Sequence, residues 1–178
     1  MNTRVIHNKV FEPFIDEEEI KAKVKELGKQ IENDNRDRNL LFISILNGSY
    51  VFTADLLREI DLDINVSFLK LASYEGLKST GKVKRLIGLS DDLSGKTVII
   101  VEDIVDTGKT LDQVIEDLRK QGAAEIRVVS LLVKPEVYRG SHEIDYKGFE
   151  IPNDFVIGYG LDFDGLGRNL RSIYRTRD

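Results

Sequence analysis

Residues 96–110, KTVIIVEDIVDTGKT, decide the fold of this chain. The β-branched run 98–101 is typical of a strand that is buried on both faces of a parallel sheet. Two acids, Glu102 and Asp103, come directly after it, and a small polar segment follows. Beyond that segment, apolar residues recur at helical spacing. The stretch therefore predicts a strand, an acidic pair, a polar loop and a helix.

The polar segment 106–110, DTGKT, has the composition of an anion-binding loop. Backbone N–H groups at the start of a helix, together with the helix dipole, favour a phosphate group. Thr107 and Thr110 add hydroxyl donors, and Gly108 allows a ligand to approach the backbone. The acids before the loop repel phosphate, but they suit sugar hydroxyls or a hard cation with oxygen ligands. Together these features favour a phosphorylated sugar as the ligand.

Two simpler interpretations of the same residues exist. The letters GKT resemble part of a Walker A loop, but Asp103 stands where that motif requires glycine, so we exclude it. Glu102, Asp103 and Asp106 also fit a solvated loop in which Asp106 caps the helix. On these residues alone, that second interpretation stays open.

Length and composition bound the class of protein. The chain has 178 residues, enough for one domain with a sizeable core, and its hydrophobic (41%) and charged (32%) fractions are ordinary for a globular enzyme. The net charge is −5 and no long basic block is present, so we expect no nucleic-acid partner. The absence of cysteine excludes disulfides and a thiolate nucleophile. Without a hydrophobic signal region or a membrane-spanning run, we expect a cytoplasmic protein that does not contact membranes.

Strands and helices alternate in the predicted order of elements. Strands are predicted near residues 4–10 and over residues 40–46, 64–71, 98–101, 125–133 and 155–159. Helices are predicted over residues 16–32, where Asp16 and Glu19 form a capping box, over residues 50–60, and after residue 110. Residues 136–153 are predicted to be irregular, and residues 73–95 to form a lid over an active site with a weak hairpin arm at 83–89. The alternation predicts an α/β domain with a parallel sheet.

Polar residues follow five of the predicted strands, at the point where each strand ends. They are Asn47-Gly48, Ser73-Tyr74, Glu102-Asp103, Lys134 and Asp162. In open α/β sheets, ligands bind beyond the carboxyl ends of the strands. We therefore expect these residues to gather in one site.

The segment VEDIVDTGKTL, residues 101–111, resembles the phosphoribosyl-pyrophosphate (PRPP) motif of the type I phosphoribosyltransferases. It closely resembles the version in the hypoxanthine-guanine branch, and the resemblance runs from about residue 40 to residue 168. It implies one domain, residues 1–178, with the type I phosphoribosyltransferase fold. In that fold a parallel sheet flanked by helices forms the core, here about residues 36–135. A small hood subdomain would come from about residues 1–15 and 136–178.

The resemblance also implies an activity. Members of this branch act in purine salvage: they transfer the phosphoribosyl group of PRPP to N9 of hypoxanthine or guanine, with Mg²⁺. The products are IMP or GMP and pyrophosphate. They are usually homodimers or homotetramers. The order of preference among hypoxanthine, guanine and xanthine stays open, because backbone groups are expected to contact the 2-position.

Within the motif, the matching positions imply roles residue by residue. Glu102 and Asp103 match the acids that hold the ribose hydroxyls, directly or near the metal. Asp106 matches the catalytic residue at the imidazole edge of the purine, where a carboxylate can take a proton as nitrogen attacks C1′. The positions that match the 5′-phosphate loop are Thr107, Gly108, Lys109 and Thr110, with Lys109 the weakest candidate because backbone donors should dominate.

Outside the motif, five residues match positions around the base and the leaving group. Lys134 matches the lysine that donates to the purine O6, and Phe155 the ring that stacks on the base. Val156 matches the residue whose backbone contacts the base edge. Asp162 matches a metal-linked acid beside the purine site, and Arg168 an arginine on the pyrophosphate side. Alone, each also fits an ordinary structural role at a strand end, in the core or on the surface.

Two dipeptides complete the implied site. Asn47-Gly48 matches a turn whose backbone binds pyrophosphate and which holds a cis peptide bond in the family. A lysine is common where Asn47 stands, and this departure puts in doubt a side-chain charge contact to pyrophosphate. Ser73-Tyr74 matches the lid dipeptide that covers the reaction centre and excludes water.

Two other functions fit parts of the pattern. Some proteins keep the PRPP motif on this fold and bind nucleic acid as regulators, and a generic nucleotide-phosphate binder would use a similar loop. Asp106 and Lys134 favour the enzyme, because adenine-specific enzymes and uracil-type regulators carry other residues at position 106. The acidic chain also disfavours a nucleic-acid partner.

Overall fold

Strands and helices alternate along most of the chain in the computed structural model, which describes residues 2–72, 84–87 and 92–177. The described strands are β1 (Arg4–Ile6), β2 (Lys9–Ile15), β3 (Leu40–Leu46), β4 (Asn65–Ala72), β5 (Lys84–Ile87), β6 (Thr97–Val105), β7 (Glu125–Val133), β8 (Tyr146–Glu150), β9 (Val156–Ile157) and β10 (Ile173–Thr176). The described helices are α1 (Glu17–Asp34), α2 (Tyr50–Arg58) and α3 (Lys109–Lys120). None of these helices is both long and apolar enough to pass through a bilayer.

The main sheet has six strands in the order β5-β4-β3-β6-β7-β8. Five are parallel, and β5 pairs antiparallel with β4 at one edge, where the sequence predicts a hairpin arm. Side chains alternate between two cores: Phe42 and Ile99 face α1 and α2, whereas Ile43 and Ile100 face α3. Burial on both faces explains the continuous apolar runs at residues 40–43 of β3 and 98–101 of β6. The predicted α/β fold is confirmed.

Helix α1 begins as the sequence predicts. The Asp16 carboxylate accepts hydrogen bonds from the backbone N–H groups of Glu18 and Glu19, at 3.0 and 2.9 Å. The Glu19 carboxylate in turn accepts from the Asp16 N–H at 2.9 Å. This capping box satisfies donors that a helix otherwise leaves free.

A second, four-stranded antiparallel sheet has the order β1-β2-β10-β9 and joins the two ends of the chain. It has a small core of its own around Phe11, Ile157 and Tyr174. Its other side shares the main core, where Ile15 and Ile173 belong to the same cluster as Leu131. This sheet corresponds to the implied hood.

Three details differ from the sequence prediction. Residues 136–153 were expected to be irregular, but β8 lies there and pairs parallel with β7, from Val129–Tyr146 to Val133–Glu150. The strand expected over 155–159 is only two residues long and belongs to the small sheet, so Asp162 does not follow a strand of the main sheet. Strand β6 extends to Val105, so Glu102 and Asp103 lie within it. The division into core and hood stays a prediction, and β8 joins the main sheet although it falls in the segment assigned to the hood.

Candidate active site

A cleft of about 310 Å³ opens at the carboxyl ends of β3 and β6 and the start of α3. Strand β3 contributes Ile45 and Leu46 to its wall. The rest of the lining comes from the motif itself, namely Glu102, Ile104, Val105, Asp106, Thr107, Gly108, Thr110 and Leu111. The cleft thus lies where the strand-end argument places a ligand.

The acidic pair forms one side of the site. Glu102 is buried, and burial, followed by repulsion from Asp103, raises its pKa well above the usual value. Burial raises the pKa of the Asp103 carboxyl to about 6, although the backbone N–H groups of Ile104 and Asp103 oppose the shift. Arg168 also lowers this pKa, and Asp162 raises it. Asp162 and Arg168 are therefore close enough to Asp103 for their charges to affect it.

The Asn47-Gly48 turn packs directly against Asp103. A Cβ added at Gly48 would come within 1.7 Å of the Asp103 Oδ2, so only glycine leaves room for this carboxylate. The Leu46–Asn47 peptide is cis, within the turn where the resemblance implies a cis bond. Asn47 is exposed. The structure therefore brings together the turn and the acidic pair.

Hydroxyl groups under the turn fix its position. The Ser49 hydroxyl donates to the Ile45 carbonyl oxygen. The buried Ser44 hydroxyl lies 2.8 Å from both the Ser49 and the Thr53 hydroxyls. This chain of hydrogen bonds ties the end of β3 to the first turn of α2. The backbone of Asn47-Gly48 is consequently held at the rim of the cleft.

Asp106 and Lys134 meet at the ends of β6 and β7. The Lys134 N–H donates to the Val105 carbonyl oxygen at 3.0 Å, which places the two residues side by side. The buried Lys134 ammonium lies 3.7 Å from the half-exposed Asp106 carboxylate. It also donates to the Asn153 Oδ1 at 3.2 Å. A carboxylate and an ammonium group are thus presented together beside the cleft.

The predicted phosphate loop leads into α3 without a side-chain cap. Gly108, the N-cap residue, has φ +84°, a left-handed conformation that glycine adopts without strain. Thr107, Lys109 and Thr110 are exposed. In contrast to α1, where Asp16 occupies the first N–H groups, the start of α3 presents its donors to an incoming anion.

The remaining predicted residues lie on the small sheet and the loop that follows β9. The Phe155 ring is 43% exposed and packs edge-on against Phe163, with centroids 5.6 Å apart. Val156 is buried in β9. Asp162 pairs with Arg168 at 2.6 Å, and the Arg168 guanidinium also donates to the Gly160 carbonyl oxygen at 2.7 Å.

Loop 160–168 also contacts the Asn47-Gly48 turn. A Cβ added at Gly160 would lie 2.0 Å from the Gly48 carbonyl oxygen, so the two backbones touch. Asp162 and Arg168 are thereby joined to the same corner of the molecule as the acidic pair. Ser73 and Tyr74, the predicted lid residues, lie outside the described residues.

Sequence reasoning missed Asn153, which contacts the Lys134 ammonium. Its position near a strand end would have indicated it, but that strand, β8, was not predicted either. Asn153 comes three residues after the end of β8. Had β8 been recognised, Asn153 would have appeared as another polar residue near a strand end.

The donor set fits a magnesium ion that is shared with a substrate. Among the described residues, no three acids or histidines cluster closely enough to hold a metal by themselves. Mg²⁺, however, is usually held by one or two carboxylates together with water and substrate phosphates. None of the ion pairs between described residues involves Glu102 or Asp103, so a cation could supply the missing positive charge. Glu102 and Asp103 are the acids that could hold such an ion together with a substrate.

Comparisons with known proteins agree with this arrangement. The model of the phosphoribosyl transferase domain matches residues 15–164. A hypoxanthine-guanine phosphoribosyltransferase of Mycobacterium tuberculosis is 42% identical over 163 residues, which cover 88% of this chain and 81% of the relative. The enzyme of that name from Staphylococcus aureus is 39% identical over 169 residues and is matched over 94% of both chains.

A longer relative and a solved structure extend the comparison. The bifunctional protein TilS/HprT of Listeria innocua is 37% identical over 169 residues, but this chain spans only 26% of its length. The crystal structure of a hypoxanthine phosphoribosyltransferase from Staphylococcus aureus has a TM-score of 0.88 at 38% identity, covering 93% of this chain and 91% of that chain. The chain therefore belongs to the phosphoribosyltransferase family, and within it to the hypoxanthine-guanine branch.

Proposed function

We propose that the chain transfers the phosphoribosyl group of PRPP to N9 of hypoxanthine or guanine in purine salvage, forming IMP or GMP and pyrophosphate. The observation that carries the proposal is the Asp106–Lys134 pair, whose charged groups lie 3.7 Å apart beside the cleft. In a 6-oxopurine, O6 accepts hydrogen bonds and the neighbouring N7 can carry a proton. An ammonium beside a carboxylate matches these two positions. Adenine presents an amino donor in place of O6, which Lys134 would repel.

Groups in and beside the same cleft would bind each part of PRPP. The loop of Thr107, Gly108, Lys109 and Thr110 would bind the 5′-phosphate through backbone and hydroxyl donors. Glu102 and Asp103 would accept hydrogen bonds from the ribose hydroxyls. The backbone of Asn47-Gly48 and the Arg168 guanidinium would bind pyrophosphate, since an arginine fork matches phosphate oxygens.

Magnesium would be held by Glu102 and Asp103, with Asp162 as a further ligand when Arg168 turns from it to a phosphate oxygen. When bound, the ion supplies positive charge that stabilises the leaving pyrophosphate. Asp106 takes the proton from the imidazole ring of the purine as the purine N9 attacks C1′ of the sugar. Phe155 stacks on the base, and the Val156 backbone contacts the base edge.

We further propose that Ser73 and Tyr74 close over the reaction centre and exclude water from an oxocarbenium-like sugar. We propose a cytoplasmic homodimer or homotetramer. Exposed apolar side chains on α2 and β4, namely Tyr50 (43%), Val66 (45%) and Phe68 (42%), support an assembly of several copies. The net charge of −5 supports a function without nucleic acid.

A PRPP-dependent assay with Mg²⁺ against hypoxanthine, guanine, xanthine and adenine tests the proposal, with Asp106→Asn as the variant. We expect turnover of 6-oxopurines and none of adenine. The asparagine cannot take a proton, so kcat should fall by roughly 10²- to 10⁴-fold, the usual contribution of general acid–base catalysis. Binding of PRPP without turnover of any base would contradict the enzyme and favour the regulator.

A further inference from the structure

The connection between β7 and β8 folds back over the start of α3. It leaves β7 at Lys134, whose carbonyl oxygen accepts a hydrogen bond from the Tyr138 N–H at 3.0 Å. The next N–H, from Arg139, donates to the Thr107 carbonyl oxygen at 3.1 Å. One short connection therefore begins at the side chain proposed to contact the base and ends on the loop proposed to bind phosphate.

Tyr138 packs on the backbone of that loop. A Cβ added at Gly108 would lie 2.5 Å from the Tyr138 Cε2 and 2.9 Å from the Gly140 Cα. Gly108 is therefore required both for its positive φ and for this contact. The Tyr138 hydroxyl donates to the His142 carbonyl oxygen, which closes residues 138–142 into a tight turn.

The far end of this turn is fastened to α3 by one carboxylate. Asp112, in the first turn of the helix, accepts from the Ser141 N–H at 3.1 and 3.2 Å and from the Ser141 hydroxyl at 3.1 Å. The His142 Nδ1 lies 2.8 Å from the same carboxylate. Burial alone would raise the pKa of Asp112, but these hydrogen bonds more than offset it and hold the pKa below its usual value.

The direction of the Asp112 carboxylate affects anion binding, because Asp112 lies in the first turn of α3. A free carboxylate in the first turn of α3 would compete for the helix N–H groups and repel a phosphate. Here the carboxylate is directed to residues 138–142, and its charge is taken up by three donors there. The backbone donors of the loop are left for an anion.

We propose that residues 138–142 form a clasp that holds the 5′-phosphate loop in its binding shape, with Asp112 and His142 as positioning residues for PRPP. The clasp contacts Thr107 and Gly108 from the side and fixes the first turn of α3 through Asp112. Neither residue is required to touch the substrate. The inference rests on the proposed function, because it takes the phosphate of PRPP as the ligand of the loop.

The test compares His142→Ala, His142→Asn and Asp112→Asn in steady-state kinetics and in calorimetric PRPP binding. We expect His142→Ala and Asp112→Asn to raise the KM for PRPP about tenfold, as for a lost hydrogen bond to a charged group. The kcat and the KM for hypoxanthine should stay within about twofold. His142→Asn keeps a side-chain N–H donor near the position of Nδ1 and should restore most of the affinity. Glu116→Gln is the control, because Glu116 pairs with Lys120 on the same helix, away from the loop.

Two outcomes for an active parent protein overturn the clasp. The clasp is wrong if the KM for PRPP is unchanged in His142→Ala and in Asp112→Asn. It is also wrong if the KM values for PRPP and for hypoxanthine rise together in these variants and the Tm falls. If the parent protein binds PRPP without turning over any base, the proposed function fails, but weaker binding by the variants still supports the clasp. If the parent binds no PRPP, both proposals fail.

Discussion

The buried Lys134 ammonium divides its hydrogen-bond donors among several partners. An ammonium group has three donors. One is used by the Asn153 Oδ1 at 3.2 Å, and the Asp106 carboxylate attracts a second from 3.7 Å. Among the described residues no partner is found for the third donor, which would be left for the O6 of the proposed purine substrate. The hydrogen bond to Asn153 therefore helps to fix the direction of the Lys134 ammonium.

Replacing Asn153 should weaken base binding selectively. Asn153→Ala removes the acceptor and lets the ammonium move toward Asp106, so we expect the KM for hypoxanthine to rise about three- to tenfold. The KM for PRPP should change by less than twofold. Steady-state kinetics with each substrate varied in turn measures both constants. Asn153→Asp keeps an acceptor and serves as the control; an equal loss in both variants would show that Asn153 does not act through this hydrogen bond.

Asp103 carries a cost for stability that its proposed role as a ligand of the sugar or the cation would explain. Burial raises the pKa of its carboxyl from 3.8 to about 6, so between these values the folded protein binds a proton that the unfolded chain releases. The free energy of unfolding contributed by this group therefore falls as pH rises from about 4 to 6 and stays low above that range. A neutral side chain of the same shape would not carry this penalty.

Asp103→Asn should accordingly stabilise the protein in EDTA at pH 7.5, and the gain should vanish below about pH 4. The full pKa difference corresponds to about 3 kcal/mol, but Asp103 as a whole is only partly buried, so we expect about 1–2 kcal/mol. Urea unfolding at several pH values measures the effect. The exposed Asp37, changed to Asn, is the control. A gain that is independent of pH would contradict the role of the buried charge.

At the scale of elements, helices α1 and α3 differ in how their N-termini are capped, and this difference determines which of them can bind an anion. Helix α1 starts with a capping box whose carboxylates occupy its first N–H groups. Helix α3 starts at a glycine that has no side chain to cap it, and the nearby Asp112 is held by the clasp. The first arrangement stabilises a helix on its own. The second leaves donors that an anion satisfies.

Elements buried on both faces were predictable from the sequence. Strands β3, β6 and β7 each contain a run of buried apolar residues, at 40–43, 98–101 and 131–133, because the sheet is covered on both faces. Strand β8, YKGFE, was not predicted, because it lies at the edge of the sheet and only Tyr146 is fully buried. Its identity depends on pairing with β7, which the local sequence does not encode.

The candidate site was predictable to the same extent. Residues inside the PRPP motif are neighbours in the chain, so the motif alone brings Glu102, Asp103 and Asp106 together. Contacts such as Asn153 with Lys134 or Tyr138 with Gly108 join distant segments. They arise from loops whose conformation is determined by tertiary packing. No pattern in the local sequence predicts these contacts.

At the scale of the molecule, the negative charge of the protein opposes the binding of an anionic substrate. The chain has a net charge of −5, and the cleft is lined by acids, yet the proposed substrate is a polyanion. Loop N–H groups, Lys134 and Arg168 offset part of this repulsion. At Asp103, however, PRPP would meet a carboxylate that is ionised at neutral pH. A divalent cation removes that conflict, so binding of PRPP and of Mg²⁺ should be strongly coupled.

This coupling predicts a crossed effect on thermal stability. With Mg²⁺, PRPP at about 100 times its Kd should stabilise the folded protein by about 2.7 kcal/mol, which raises the Tm of a chain of 178 residues by about 5–10 °C. In EDTA the same PRPP concentration should give a much smaller shift. Asp103→Asn should reduce the shift with Mg²⁺, because a ligand is lost, and increase it in EDTA, because a repelling charge is lost. The Asp37→Asn control should behave like the parent. If Asp103→Asn instead lowers both shifts equally, Asp103 binds the sugar alone and takes no part in holding the cation.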